Sequence, residues 1–468
     1  MTHTSSVPRR CVNPPLLEQP APVHHRAVAA LLRQWARLVV PALIAIGLAV
    51  PLGGAPAAAS PVTNEHDVVG TSCNNGAGTT IPSPASPVDG GSQVATTMLP
   101  SGVSIVVISA GFPTRAVATL RALTPNCAPD TSFGDGGTEQ LSYKGRDFSI
   151  NAAAPNLGGG LVLAGQTNTA NQIGTGWLVA DLGPNGRLDP SFGVGGWVEL
   201  PWLGGASAIV AEPSGRILVA GTQGSGCCEH EWVGELSPQG ALVNGFGSAG
   251  RRSLSVTRDD SGAAQLAVEP DGEILVVTAG GNMGCWGVTV SALTASGSPV
   301  PSFERDFNAA MGPQTTFVGS LVLHDGGFLL AGTSQAGCVG NTASPTAVGR
   351  IIAFGPSGGL LTSFGTDGRV RFSSPMEAPV WALPQQDGGL LLAGIAVSFQ
   401  SNAQSLMHLN LVRFSANGHL EPGYGHGGIA ELQLRHLSPS AAMTNGRLNA
   451  VVCSSTTANA YWLTELLG

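Results

Sequence analysis

Along most of the chain, short apolar runs follow tight polar turns. Pro100-Ser101-Gly102 leads into Val103 to Ile108, Gly158-Gly159-Gly160 into Leu161 to Gly165, and Pro213-Ser214-Gly215 into Arg216 to Thr222. Pro270-Asp271-Gly272 precedes Glu273 to Thr278, and Asp325-Gly326-Gly327 precedes Phe328 to Thr333. Asp387-Gly388-Gly389 precedes Leu390 to Gly394, and Asn445-Gly446 precedes Arg447 to Cys453. Aligned on Gly102, Gly159, Gly215, Gly272, Gly326, Gly388 and Gly446, the steps are 57, 56, 57, 54, 62 and 58 residues. Runs this short, entered through Ser-Gly, Asp-Gly or Asn-Gly, predict β-strands joined by hairpins, since those turn positions need positive φ.

A second unit lies between these turns. Its best copy is Leu182-Gly183-Pro184-Asn185-Gly186-Arg187-Leu188-Asp189-Pro190-Ser191-Phe192-Gly193-Val194-Gly195-Gly196. Weaker copies centre on Phe133, Phe246, Phe303, Phe364 and Tyr424, giving aromatic spacings of 59, 54, 57, 61 and 60. A fixed period of this length, with four short strands per unit, predicts propeller blades. There are seven first halves and six aromatic second halves. The last unit stops after Tyr461 to Leu466 without a fourth strand, whereas Asn75 to Pro82 reads like the end of a repeat, comparable with Val194 to Pro201. The expectation is therefore an all-β, seven-bladed β-propeller of four-stranded antiparallel blades over residues 73–468. Its N-terminal strand would complete the last blade, closing the ring and removing both open sheet edges. A parallel solenoid is the alternative, but its ends would need caps that the sequence does not provide.

The Asp-Gly-x-Ile-Leu-Val-Ala-Gly half, followed by Asn-Gly-x-Leu-Asp-x-Ser-Phe-Gly-x-Gly-Gly, resembles the delta-60 repeat of bacterial surface and exported proteins. The resemblance covers nearly all of the chain after the leader. The Pro184 to Gly196 copy is highly specific, the copies at Phe246 and Phe303 are degenerate, and only Arg413-Phe414 keeps the Arg-aromatic pair common in that family. The resemblance implies a propeller in an extracytoplasmic setting and no single reaction.

Composition narrows the class. With 66 Gly and 33 Pro in 468 residues, a long helical bundle is excluded, and the glycines lack the three-residue period of collagen. An apolar fraction of 43% against 11% charged residues argues for a packed core rather than disorder. The 21 basic residues, of which Lys144 is the single lysine, face 29 acidic ones, which argues against nucleic acid as a partner. Arg9, Arg10, Arg26, Arg33 and Arg37 precede an apolar run, Leu38 to Leu52, that ends in an Ala-x-Ala site at Ala57 and Ala59. This is the pattern of a signal peptide over residues 1–59, followed by a linker over 60–72. An uncleaved anchor is the alternative, although Pro41, Pro51 and Gly53-Gly54 interrupt a run that would need roughly 20 apolar residues to span a bilayer. The expected setting is secreted or extracytoplasmic, at the cell envelope, with no stable membrane span after cleavage.

Candidate chemistry follows from the repeat. An aromatic placed by geometry in each unit is packing between blades, and Asp189 and Asp130 are expected to accept turn amides. In an antiparallel four-stranded blade, the 1–2 and 3–4 turns share one rim and the 2–3 and 4–1 loops the other. Sequence varies on the second rim, at Thr167 to Gly176, Gln223 to Glu231, Ala279 to Gly287, Ser334 to Thr346 and Val397 to Leu406. Variable loops on a rigid scaffold are where specificity is placed. Trp202, Glu229, His230 and Trp286 are the candidate ligand-binding residues there. Cys227-Cys228-Glu229-His230-Glu231-Trp232 is the densest chemistry. A metal reading of it lacks Cys-x-x-Cys or His-x-x-His support, so no metal and no cofactor is expected. Disulfides suit an exported chain better, Cys228 to Cys285 across neighbouring loops and Cys73 to Cys127 across the closure, with Cys453 as a buried thiol. Neither a Gly-x-Ser-x-Gly elbow nor a phosphate loop is present, so no catalytic residue is assigned. The expected role is non-catalytic binding of a protein, glycan or cell-surface partner through the variable rim. The alternative is a propeller enzyme of polysaccharide lyase or hydrolase type, with its site at the axial opening of that rim.

Overall fold

The structure is a computed structural model that describes residues 79–467 apart from 83–92, 110–116, 127, 170–171, 225–229, 255–260, 283–284, 304–315, 325–326, 336–347, 373–377, 386, 400–404, 435–438, 445–446 and 454–459. The expected leader and linker, Cys73, Cys127, Cys228 and Glu229 all lie outside the described residues.

The chain is all-β, and its strands pair antiparallel in compact meanders. The first strand is β1 (Thr79–Pro82), and the first full sheet is β2 (Gln93–Met98), β3 (Ser104–Ser109), β4 (Ala118–Leu123) and β5 (Thr138–Leu141). Then follow β6 (Asp147–Pro155), β7 (Leu161–Thr169), β8 (Gln172–Leu182) and β9 (Trp197–Leu200). The third sheet is β10 (Gly204–Ala211), β11 (Ile217–Gln223), β12 (His230–Leu236) and β13 (Arg251–Ser253). Next come β14 (Ser261–Val268), β15 (Ile274–Asn282) and β16 (Cys285–Leu293), then β17 (Thr316–His324), β18 (Gly327–Gln335), β19 (Val348–Phe354) and β20 (Arg369–Phe372). The last two groups are β21 (Ala378–Pro384), β22 (Leu390–Phe399), β23 (Ser405–Phe414) and β24 (Ile429–Leu434), then β25 (Pro439–Thr444), β26 (Arg447–Cys453) and β27 (Ala460–Leu467). Within each full sheet, spatial order follows chain order. The exception is β1, which lies outside β27 in the last group, with Thr80 opposite Trp462 and Ile81 opposite Tyr461.

The first strands of neighbouring sheets lie against one another in sequence order: β2 on β6, β6 on β10, β10 on β14, β14 on β17 and β17 on β21. Strand β25 also lies against β2. A sheet with a neighbour on each side is therefore covered on both faces, which explains why its central strands read as continuous apolar runs rather than as alternating ones. Adjacent residues of β19 illustrate this. Ile352 packs with Leu275, Val277 and Val290 of the preceding sheet, whereas Ile351 packs with Leu392 and Val412 of the following one.

The recurring aromatic joins one sheet to the next. Phe133, Phe192, Phe246, Phe303 and Phe364 are all at most 2% exposed. Phe133 lies against Gly186 in the turn of the following sheet, and the same contact joins Phe192 to Gly240, Phe246 to Gly297, Phe303 to Gly358 and Phe364 to Gly418. A Cβ on Gly186 would fall 2.7 Å from the Phe133 ring, and the glycine has φ +78°, so both space and backbone select glycine there. A backbone hydrogen bond reinforces four of these junctions, for example Gly134 N–H to Asn185 O at 2.7 Å and Gly365 N–H to Asn417 O at 2.9 Å. Asp130 and Asp189 behave as turn acceptors, with Ser132 N–H and Ser191 N–H donating to their Oδ1 atoms at 3.0 and 2.8 Å.

In one unit the stretch where a fourth strand is expected lies outside the described residues. The β14–β16 sheet has three strands among the described residues. Its aromatic is followed by Glu304-Arg305-Asp306 where the best copy has Gly193-Val194-Gly195.

Candidate functional site

The rim formed by the β5–β6, β7–β8, β9–β10 and β11–β12 connections carries two clusters of polar and aromatic side chains. The first is built on the turn Tyr143-Lys144-Gly145-Arg146, which leads into β6. Tyr143 is buried against Trp197, with ring centroids 5.2 Å apart, and its hydroxyl donates to Glu199 Oε2 at 2.9 Å. Arg146 Nη1 donates to Glu199 Oε1 at 2.5 Å, and Thr167 Oγ1 lies 3.3 Å from the same oxygen. Lys144 is exposed at φ +47°, and its ammonium stands 4.8 Å from the Tyr143 ring centroid. Burial acts upward on the Glu199 carboxyl, but hydrogen bonds from Tyr143 and Arg146 outweigh it and hold the group below its ordinary range. Burial raises the Tyr143 phenol, with Glu199 acting in the same direction. Glu199 is thus a fixed, ionised anchor for the turn.

The second cluster surrounds Trp202. Trp177 donates its indole N–H to Thr222 O at 3.0 Å and meets Trp202 edge-on at 5.1 Å. The Arg251 guanidinium lies 5.2 Å from the Trp202 ring and 4.5 Å from the Trp232 ring, and its Nη1 donates to Gln223 Oε1 at 3.0 Å. Two aromatic faces and an amide oxygen therefore hold one cation at the mouth between β11 and β12. His230 sits beside this cluster, exposed at the first position of β12 and in register with Gln223. The next residue, Glu231, is fully buried.

The structure brings Trp202 and His230 onto one rim, around an arginine that sequence reasoning did not single out. Trp202 is 6% exposed, with Trp177 and Arg251 against its ring, so in this arrangement it is part of the cluster's wall rather than an open platform. Trp286 and Cys285 lie at the start of β16, opposite Gly281 and Asn282. Glu229 and the other paired-cysteine candidates, Cys73, Cys127 and Cys228, are outside the described residues. Among the described residues, no group of three or more His, Cys, Asp or Glu side chains is placed to hold a metal ion.

The carboxyls with raised pKa values lie at the opposite ends of the sheets, beside the repeated turns. Burial lifts Asp181 to about 6 despite the hydrogen bond from Asn156. Burial and the neighbouring Glu273 and Asp271 charges lift Glu269 to about 7. In the third sheet the corresponding pair is Glu212 and Arg216, an ion pair at 2.5 Å, and a glutamate in the arginine's place leaves Glu269 facing like charge.

No protein-family profile matches the chain, and no curated protein is significantly similar to it. Solved structures do resemble it in outline. An ulvan lyase from a new polysaccharide lyase family is 12% identical with a TM-score of 0.47, and the match covers 83% of this chain and 96% of that one. A streptogramin B lyase is 13% identical with a TM-score of 0.40, covering 83% and 97% of the two chains. An α-L-arabinanase from Penicillium chrysogenum is 11% identical with a TM-score of 0.39, covering 83% and 97%. Likeness at these identities transfers no residue's role to this chain.

Proposed function

We propose that the chain is an exported seven-bladed β-propeller of the delta-60 type, closed by β1 as the outer strand of the last blade, and that it works as a binding protein. Its partner is a protein, glycan or cell-surface component held on the rim that carries Trp202, His230 and Trp286. The observation behind this reading is the state of the rim's charged groups. Among the described residues, Glu199 is committed to Tyr143 and Arg146, and Arg251 is held between two tryptophans. The carboxyls raised towards neutrality, which acid–base chemistry would use, stand at the other ends of the sheets. A rim of fixed ions and aromatic rings suits recognition.

The test is a thermal-shift panel of soluble glycans, peptidoglycan fragments and peptides on the full-length protein. A ligand of the folded state raises the melting temperature in a saturable way. The expected result is a shift with one class that is weakened in His230→Ala and Trp286→Ala but unchanged in Arg187→Ala, whose turn lies on the opposite rim. Chain cleavage of a bound glycan during incubation would instead favour the enzyme reading of the same rim.

A further inference from the structure

Five hairpins join the first and second strands of a sheet through the same five-residue turn. In each, the N–H of the first residue donates to the carbonyl of the last: Leu99 to Val103, Asn156 to Gly160, Glu212 to Arg216, Glu269 to Glu273 and Gln385 to Gly389. They are one position seen five times, and of these turns only Glu269 to Glu273 has a carboxylate at both ends. The fold therefore does not require the pair.

The third sheet shows what such a glutamate can hold. Arg216 donates from Nη2 and Nε to the two oxygens of Glu212, at 2.5 and 2.8 Å. Its Nη1 donates to Ala295 O on the turn of the next sheet at 2.8 Å, and Glu235 lies 3.7 Å away. One sheet later the first glutamate is kept as Glu269, but Glu273 stands in the place of Arg216. Ala292, opposite Leu275, stands in the place of Glu235, which is opposite Leu218. Both replacements are shorter, so they do not refill the place of the guanidinium.

The carboxylates left behind lack a partner. Glu269 is 5% exposed, and its Oε1 is buried without a hydrogen bond. Glu273 is half-buried, and its Oε1 is likewise buried and unbonded. Among the described residues, no cationic side chain forms an ion pair with either. A buried carboxylate without a partner destabilises a fold, and a second one beside it adds repulsion. Asp271, exposed on the same turn, carries the negative charge out to solvent, with one oxygen committed to the Glu273 amide at 3.0 Å. No three acids among the described residues are placed to hold a metal ion, so an organic cation is the better match. A planar guanidinium suits a carboxylate because it can grip both oxygens at once, as Arg216 does.

We propose that Glu269 and Glu273 form a cation site on the β14–β15 turn, taking the guanidinium of an arginine side chain from a partner polypeptide. The partner would supply from outside what Arg216 supplies from within one sheet earlier. The site lies among the repeated turns, at the opposite ends of the sheets from Trp202, so it stands or falls independently of the binding role assigned to that rim.

The experiment titrates the full-length protein with N-acetyl-argininamide and N-acetyl-lysinamide, against choline chloride at matched ionic strength. It is run at pH 8, where Glu269 is ionised, and follows the melting temperature and the heat of binding. The expected result is a saturable stabilisation by the arginine amide that choline does not reproduce. Glu269→Gln should weaken it by about tenfold or more, the loss of a charge-assisted contact. Glu273→Arg rebuilds the pair of the third sheet within the chain, so without ligand it should melt higher than the parent and no longer respond. That gain separates a filled site from a failed fold. A weaker saturable response to the lysine amide supports the site and extends it to ammonium groups. A response no greater than that to choline, or one that survives in Glu273→Arg, overturns the proposal. So does a Glu273→Arg protein that melts no higher than the parent, since the turn would then have no place for a guanidinium.

Discussion

Phe192 and Gly240 show how single residues hold neighbouring sheets together. The ring is fully buried and meets a glycine that has φ +79° and no room for a side chain. Phe192→Ala should destabilise the protein by about 3–5 kcal/mol, the usual cost of emptying a buried aromatic site. Chemical denaturation would measure it. Gly418→Ala, where a Cβ would fall 2.6 Å from Phe364, should cost several kcal/mol through the same contact, read from the opposite side. Glu269 makes a prediction about pH. Its folded pKa, about 7, lies above its ordinary value of 4.5. The carboxyl is protonated in both states below about pH 4.5, so its cost is absent there. The cost then grows as pH rises through 7, reaching on the order of 2–3 kcal/mol. Stability should therefore fall between pH 5 and pH 8, and Glu269→Gln should flatten that slope in melting curves recorded across the range. These residue roles were partly legible. The period exposed the aromatic and the glycine because each recurs. The pairing of Glu269 with Glu273 was not legible, because it depends on the loss of the arginine that stands at position 216 one repeat earlier.

At the scale of elements, strands and turns could be read from the sequence because hairpin glycines mark them. Leu390 to Gly394, read as a strand, falls in β22, and Val103 to Ile108 coincides with β3 except for Val103. The unit centred on Phe303 lacks those turn glycines, and the stretch after it where a fourth strand is expected, 304–315, lies outside the described residues. The rim was harder. Its loops do not repeat, and Arg251 lies 49 positions after Trp202, so no local pattern joins them. Comparing copies in register would have exposed it, since Arg251 occupies the place of Trp197 in the preceding unit. Arg251→Ala removes one cation shared by two indoles. The expected loss is about 1–2 kcal/mol, accompanied by a red shift in tryptophan emission as Trp202 and Trp232 gain water. An unchanged emission maximum would mean that the rings are held by the sheet and not by the arginine. The ion pairs of Arg413, at 2.6 Å to Asp387 and 2.7 Å to Glu421, show what an arginine before the aromatic does. It ties the first turn of a unit to its second.

At the scale of the whole molecule, β1 draws residues near the start of the described chain onto β27 near its end. On the proposed closure, removing residues 1–85 should expose the β27 edge, lower the melting temperature and promote association through unpaired strand groups. Size-exclusion chromatography with light scattering would follow this. A truncated chain that stays monomeric and melts like the parent would count against closure by β1.

The contact between an aromatic and the next unit's glycine has a direction. Each of these five phenylalanines reaches forward along the chain and its receiving glycine faces back, so the two surfaces of a unit are complementary but not alike. Such contacts are heterologous, and they end only when a ring returns on itself. A molecule opened at one of these five junctions would present a knob at one end and a socket at the other. Its aggregates should then grow as linear head-to-tail filaments, lengthening with concentration, rather than stop at a two-fold symmetric dimer.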